Sequence, residues 1–264
     1  ADLNDLYAHL LEHGRLSRRQ SSGLAPATVH GIHTTLHHAL KTAVEEGLLP
    51  ANPAEGVTPP KLPRSPKGIL NNDQLDTLMA AISRDPLWHD FFYVELTTGL
   101  RWGELCGLKW RDFDSETGTL NVRRTIHMKK GGGLSEGDTK TYAGMRAILL
   151  PKSTVQLLRE RKRAALTEWI FPDPLKPENP THPGGAYRRL KKLLEEAGLP
   201  NIRFHDLRHT FATHALAGGV DAKTLSGILG HTKASFTLDT YAHVTGDMQR
   251  HAAGIVGDFI QDIL

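Results

Sequence analysis

A chain of 264 residues with 39% hydrophobic content is long enough to bury one large core or two modest ones. Its single cysteine, Cys106, excludes an internal disulfide framework and fits a reducing cytoplasm; no apolar run approaches the ~20 residues of a membrane-spanning helix. The net charge is only +3, yet residues 139–211 hold 14 Lys and Arg against 7 Asp and Glu, as expected of a block that faces a polyanion or of a solvated basic surface.

A short helix is predicted over residues 2–13. The chain opens as if in the middle of a helical region, so an N-terminal part is expected to precede it. Residues 28–46 place Val29, Ile32, Leu36, Leu40 and Ala43 on one helical stripe. Pro26 suits the first turn of that helix and Gly47 the residue just past its end. Residues 1–54 therefore read as a small helical unit. Four prolines within 55–68 make a semi-extended linker and the best domain boundary. In the larger domain, 69–264, helices are expected near 73–84, 86–98, 102–108, 152–166, 184–197, 206–217, 221–229, 234–242 and 247–263. Residues 119–127 alternate like a strand, Gly131, Gly132 and Gly133 open a loop, and 145–150 form a second strand. Trp169 to Phe171 reads as a further short strand. The expected class is mainly α with a small antiparallel β-sheet, an α+β chain.

Four segments carry the chemistry. His205 and Arg208 lie three residues apart, so a helix starting near 205 presents both on one face, and its N-terminus favours a bound anion. Arg101 follows Thr98, Gly99 and Leu100 at another loop-to-helix junction. Two guanidiniums on one phosphodiester would stabilise the extra charge of a pentacoordinate transition state. Tyr241 supplies a phenol, ordinarily of pKa about 10, which nearby arginines and a histidine acceptor would shift toward phenolate. Lys140, between the two strands, can protonate a departing 5′-oxygen.

With Thr98-Gly99-Leu100-Arg101-Trp102-Gly103-Glu104-Leu105, Thr139-Lys140-Thr141, the run from His205 to Thr213, Leu229-Gly230-His231 and Thr240-Tyr241-Ala242-His243-Val244 in place, the chain resembles the tyrosine site-specific recombinases, the phage-integrase family. The resemblance spans nearly the whole chain. It implies Arg101, Lys140, His205, Arg208 and His231 around the nucleophile Tyr241, with Glu104 as a support behind them. It implies a partial core-binding domain over 1–54 and a catalytic domain over 69–264, and strand exchange through a 3′-phosphotyrosyl link without cofactor. The partners it implies are double-stranded DNA attachment sites, a dimer on each site and a tetrameric synapse, with DNA-bending and directionality factors and no membrane. The residues from Thr237 to Val244 look like integrases of phages and conjugative transposons, and less like chromosome-dimer resolvases, whose histidine-to-tyrosine stretch is one residue shorter. Early core-binding helices and an arm-binding domain are expected before this segment.

Other readings stand beside these. Tyr241, His205 and His231 would each alone be structural, and Arg101 a surface arginine. Lys129 and Lys130 compete with Lys140, but are preferred as solvated hairpin positions that touch DNA backbone. The three glycines lack the Gly-Lys-Ser/Thr ending of a phosphate-binding loop, so a flexible turn is preferred. His30, His33, His37 and His38 cluster, and His205, His209 and His214 share a helix, yet no metal-ligand motif accompanies the chain's 15 histidines, and no metal is expected. His30 and His33 are candidates to meet phosphate. Cys106 reads as a small buried residue. Residues 248–264 form an apolar face that packs on the same domain or on a neighbouring protomer. A monomeric type IB topoisomerase-like enzyme and a non-catalytic DNA-binding regulator are the alternative functions.

Overall fold

The computed structural model describes residues 2–15, 23–62, 68–129, 131–138 and 144–231. The chain divides into two compact units, Ala1–Pro66 and Lys67–Leu264. Tyr241, Lys140, Lys130, the predicted helices over 234–242 and 247–263, and the apolar face of 248–264 lie outside the described residues.

In the first unit α1 (Leu3–His13) packs on α2 (Pro26–Glu45). Pro26 opens α2, because its missing N–H would have had no intrahelical acceptor and its ring presets φ. Gly47, with φ 73°, turns the chain after α2 into the left-handed region that a side chain resists. Tyr7 and Val29 are buried, whereas Ile32, Leu36, Leu40 and Ala43 are half-buried. His33 is bound within the unit, its Nδ1 lying 3.0 Å from Tyr7 Oη. His30 Nδ1 lies 3.4 Å from the Pro60 carbonyl.

The second unit begins with α3 (Asn72–Ser83), whose start is fixed by reciprocal bonds between Asn71 and Gln74. There follow α4 (His89–Thr98), α5 (Trp102–Cys106), a 3-10 turn at Trp110–Asp112, β1 (Phe113–Asp114), β2 (Thr119–Val122), β3 (Arg124–Met128), β4 (Leu134–Asp138) and β5 (Arg146–Leu149). The chain then runs through α6 (Lys152–Arg163), α7 (Pro183–Glu196), α8 (Phe204–Ala217) and α9 (Ala222–Leu229). Phe91 and Phe92 on α4 meet Phe171 and Phe204 edge-on or tilted, with centroids 5.2–6.3 Å apart. Fully burying one such side chain contributes about 1.5–3 kcal/mol, and this cluster welds α4 to α8. Cys106 is buried in the same core, and burial raises its thiol pKa.

The strands depart from expectation. The alternation from residue 119 to 127 is real, since Leu120, Val122, Arg124 and Ile126 are all buried. Its hydrogen bonds nevertheless change partners at Arg123. β2 pairs with β1 and β5 (Leu120 opposite Ile148), whereas β3 pairs with β4 (Ile126 opposite Glu136). The single sheet expected is thus two antiparallel sheets. Arg124 explains the switch: it is buried, bonded to Asp112 and to the Gly107 carbonyl (3.1 Å), and pins the base of the β3–β4 hairpin beneath α5. β4 escaped the sequence reading because Leu134-Ser135-Glu136-Gly137-Asp138 has no β-branched residue. Gly131, Gly132 and Gly133, at φ 83–105°, form the hairpin turn, and Lys129 is exposed beside it. Trp169 to Phe171 is no strand; Trp169 makes an isolated bridge to Lys109.

Candidate active site

α4 ends at Gly99, whose φ of 59° and close approach to Phe211 leave no room for a side chain; a Cβ would lie 2.3 Å from Phe211 Cδ1. The turn delivers Arg101 to the start of α5. Glu104, one turn on, accepts from the Arg101 backbone N–H (2.9 Å) and from Arg101 Nη1 (2.8 Å). α8 starts just after Arg203, where Asp206 accepts from the Arg203 backbone and guanidinium. His205 and Arg208 are therefore one helical turn apart. Asp221 caps the start of α9, and Gly230, with φ 66°, closes its end before His231.

The end of α9 organises the site. The last carbonyls of a helix have no intrahelical donor and carry the negative end of its dipole. Here three consecutive ones each take an arginine: Ile228 O accepts from Arg146 Nε at 2.6 Å, Leu229 O from Arg208 Nη2 at 2.6 Å and Gly230 O from Arg101 Nη2 at 3.0 Å. Arg208, 1% exposed, also donates to the Gly99 carbonyl (2.7 Å) and to His231 Nε2 (2.9 Å). An arginine only donates, so His231 accepts through Nε2 and carries its proton on Nδ1. The structure thus gathers Arg101, Glu104, Arg208 and His231, with His205 on the adjoining turn of α8. Arg146 was missed in the sequence. It stands at a strand end that reads as polar; the available signal is that it shares a strand face with buried Ile148, where an arginine requires partners.

The electrostatics favour an anion. Burial, then the Arg208 charge, holds His205 below the ordinary imidazole pKa, although one side of the residue is exposed; burial and the arginines take His231 to about 4. Both imidazoles are neutral at pH 7. Burial pushes Glu104 up, but its bonds and charge contacts with Arg146 and Arg101 outweigh that and leave it low, hence ionised. Glu95 on α4 is fully buried and, among the described residues, neither of its oxygens has a hydrogen-bond partner. Burial raises its pKa well above the usual value, against the opposing pull of Arg208. Glu104 is the ionised carboxylate that Arg101 and Arg146 both engage. The basic block as a whole is less free than its sequence suggests, because Arg161 pairs with Asp90 and Arg189 with Asp85. Among the described residues, no group of three or more His, Cys, Asp or Glu is placed to hold a metal ion.

A raised carboxyl pKa in the folded state has a signed consequence. Below the unfolded-state value both states are protonated and nothing is lost. As pH rises, the unfolded chain releases the proton first, so stability falls by about 1.4 kcal/mol per pH unit until the folded value is passed. Replacing Glu95 by leucine is expected to raise stability by roughly 1–3 kcal/mol at pH 8 and by little at pH 4, as urea denaturation at the two pH values will show. An advantage independent of pH would mean that Glu95 is not the titrating group.

The phage integrase family model matches residues 69–248. The chain belongs to the phage integrase family. Among relatives of this integrase-family chain, a XerC-like tyrosine recombinase of Caldanaerobacter subterraneus is 29% identical over 89% of the chain and 67% of its own length. The ICEBs1 integrase of Bacillus subtilis is 26% identical over 98% of the chain and 70% of its own length. The Tn1549 transposon integrase, in a structure with circular intermediate DNA, superposes with a TM-score of 0.75 at 26% identity, covering 97% of this chain and 86% of that one.

Proposed function

We propose that this integrase-family chain is a site-specific DNA recombinase that integrates or excises a mobile element. The observation that carries the reading is the convergence of Arg101 and Arg208 on the end of α9, beside two neutral imidazoles, in a chain of this family. Arg101, whose side chain is 42% exposed, has donors left for a non-bridging phosphate oxygen. Buried Arg208 stabilises the site's geometry and adds charge where the transition state gains it.

In this reading Tyr241 Oη attacks the scissile phosphorus and its proton passes to an imidazole. Since His231 Nε2 already accepts from Arg208, His205 is the candidate acceptor. The 3′-phosphate becomes a phosphotyrosyl ester, and the 5′-oxygen leaves with a proton from Lys140. A 5′-hydroxyl of the partner duplex then attacks that ester and returns the phenol. One phosphoester replaces another at each step, so no ATP is consumed. The two units are proposed to grip duplex attachment-site DNA, with His30, His33, Lys129 and Lys130 as backbone contacts and four protomers in the synapse. Binding should then weaken steeply with salt. A bacterial cytoplasmic setting accords with the lone buried cysteine and with the lack, among the described residues, of a helix long and apolar enough to cross a membrane.

The test is an SDS-resistant adduct with a nicked suicide substrate carrying a candidate attachment site. Relaxation of supercoiled DNA at undefined sites would favour the topoisomerase alternative, and binding without any adduct the regulator. Lys140→Ala is expected to slow cleavage of ordinary DNA roughly 10²–10⁴-fold. A 5′-bridging sulfur should restore its rate, since a thiolate departs without an acid. Failure of the sulfur substrate to recover would move the acid role to another residue, Lys129 and Lys130 being next.

A further inference from the structure

Arg146 lies at the start of β5, outside every motif that pointed to the site. Its side chain is 7% exposed, too enclosed to present itself to a DNA phosphate. Each of its guanidinium nitrogens is engaged. Nε binds the Ile228 carbonyl at 2.6 Å; Nη1 binds Glu104 Oε1 at 3.2 Å and the Gly144 carbonyl at 3.1 Å; Nη2 binds Glu104 Oε2 at 2.9 Å. Glu104 is thereby held by a planar two-pronged contact on one side and by Arg101, through Nη1 and the backbone N–H, on the other. The same guanidinium ties β5 to the end of α9, whose next two carbonyls hold Arg208 and Arg101.

We propose that Arg146 is a positioning residue for strand cleavage, fixing Glu104 and the α9 terminus so that Arg101 meets the scissile phosphate in a set geometry. The inference rests on the recombinase reading above. Without Arg146, Glu104 would lose one of its two cationic partners. Arg101 would then be drawn onto a buried, under-compensated carboxylate, at the expense of the developing phosphate charge. A lysine keeps the charge but cannot span Glu104, Ile228 and Gly144 at once.

The experiment is single-turnover cleavage by Arg146→Lys in the full chain, on three substrates with the same attachment site: an ordinary phosphodiester, a 5′-bridging phosphorothiolate, and a methylphosphonate at the scissile position. The methyl group removes the negative charge that Arg101 would neutralise. We expect duplex affinity within about twofold of wild type and cleavage of the phosphodiester slowed roughly 30- to 300-fold, as for loss of one transition-state donor. The methylphosphonate should narrow the gap to under about fivefold, and the phosphorothiolate should leave it unchanged. An equal deficit on all three substrates marks a merely structural residue and overturns the proposal. Recovery on the phosphorothiolate alone also overturns it, because Arg146 would then act through the adjoining segment that bears Lys140. As a second arm, Glu104→Gln and Arg146→Lys should be non-additive in cleavage rate when combined; additive losses overturn the proposal even where the single variant folds poorly. Absence of adduct from wild type on every substrate would instead refute the recombinase reading itself.

Discussion

Tyr241→Phe is expected to abolish covalent attachment to DNA, by at least about 10⁴-fold, while duplex affinity stays within about twofold. The substitution removes one oxygen and nothing else, so a protein that merely binds DNA would not register it. If Tyr241 is the nucleophile, the variant on a suicide substrate yields no SDS-resistant band, and the scissile phosphodiester stays intact. An adduct of undiminished yield would transfer the role to another hydroxyl. The expectation rests on the family match and on the convergence of Arg101 and Arg208 on the end of α9, because Tyr241 itself lies outside the described residues.

Arg208→Lys should be nearly as damaging, for a different reason. Arg208 is 1% exposed and spans the carbonyl of Gly99 on one side of the pocket and that of Leu229 on the other, while donating to His231. A compact ammonium reaches at most part of that set. Each buried carbonyl left without a donor costs about 1–3 kcal/mol, so a stability loss of about 2–4 kcal/mol is expected, read by urea denaturation. Cleavage should fall at least 10²- to 10³-fold, the order found when one charge-stabilising donor is lost. A variant with wild-type stability and a cleavage deficit under about tenfold would show that Arg208 neither braces the pocket nor faces the reaction.

These two substitutions differ in what the sequence could say about them. Arg101 and Arg208 stand out as candidates from their places at helix starts, and Glu104 and His231 through the family resemblance; the structure brings all four together at the end of α9. Helix limits were read to within a few residues in α3, α6, α7 and α9, since caps and periodicity are properties of neighbouring residues. Arg146 and Glu95 were not legible. Arg146 stands at a strand end, where nothing in the neighbouring residues marks an arginine for burial. Glu95 falls on the same face of α4 as Phe91 and Thr98, a carboxyl on a buried stripe whose burial depends on what packs against it. The pairing of the strands was equally hidden, because alternation runs unbroken through Arg123 while the hydrogen bonds change sheets there.

By itself, then, the order of residues determined the α+β class and the described helices, and it named the candidate groups for a phosphodiester, since periodicity, capping and functional-group chemistry are short-range properties. Only the tertiary structure decided that three arginines share the end of α9, that a fully buried glutamate has its pKa raised by burial against the pull of Arg208, and that one alternating run serves two sheets. Each of those outcomes depends on which orphaned carbonyls and desolvated charges come to face one another across more than forty residues of chain in some cases, and no local pattern encodes that meeting.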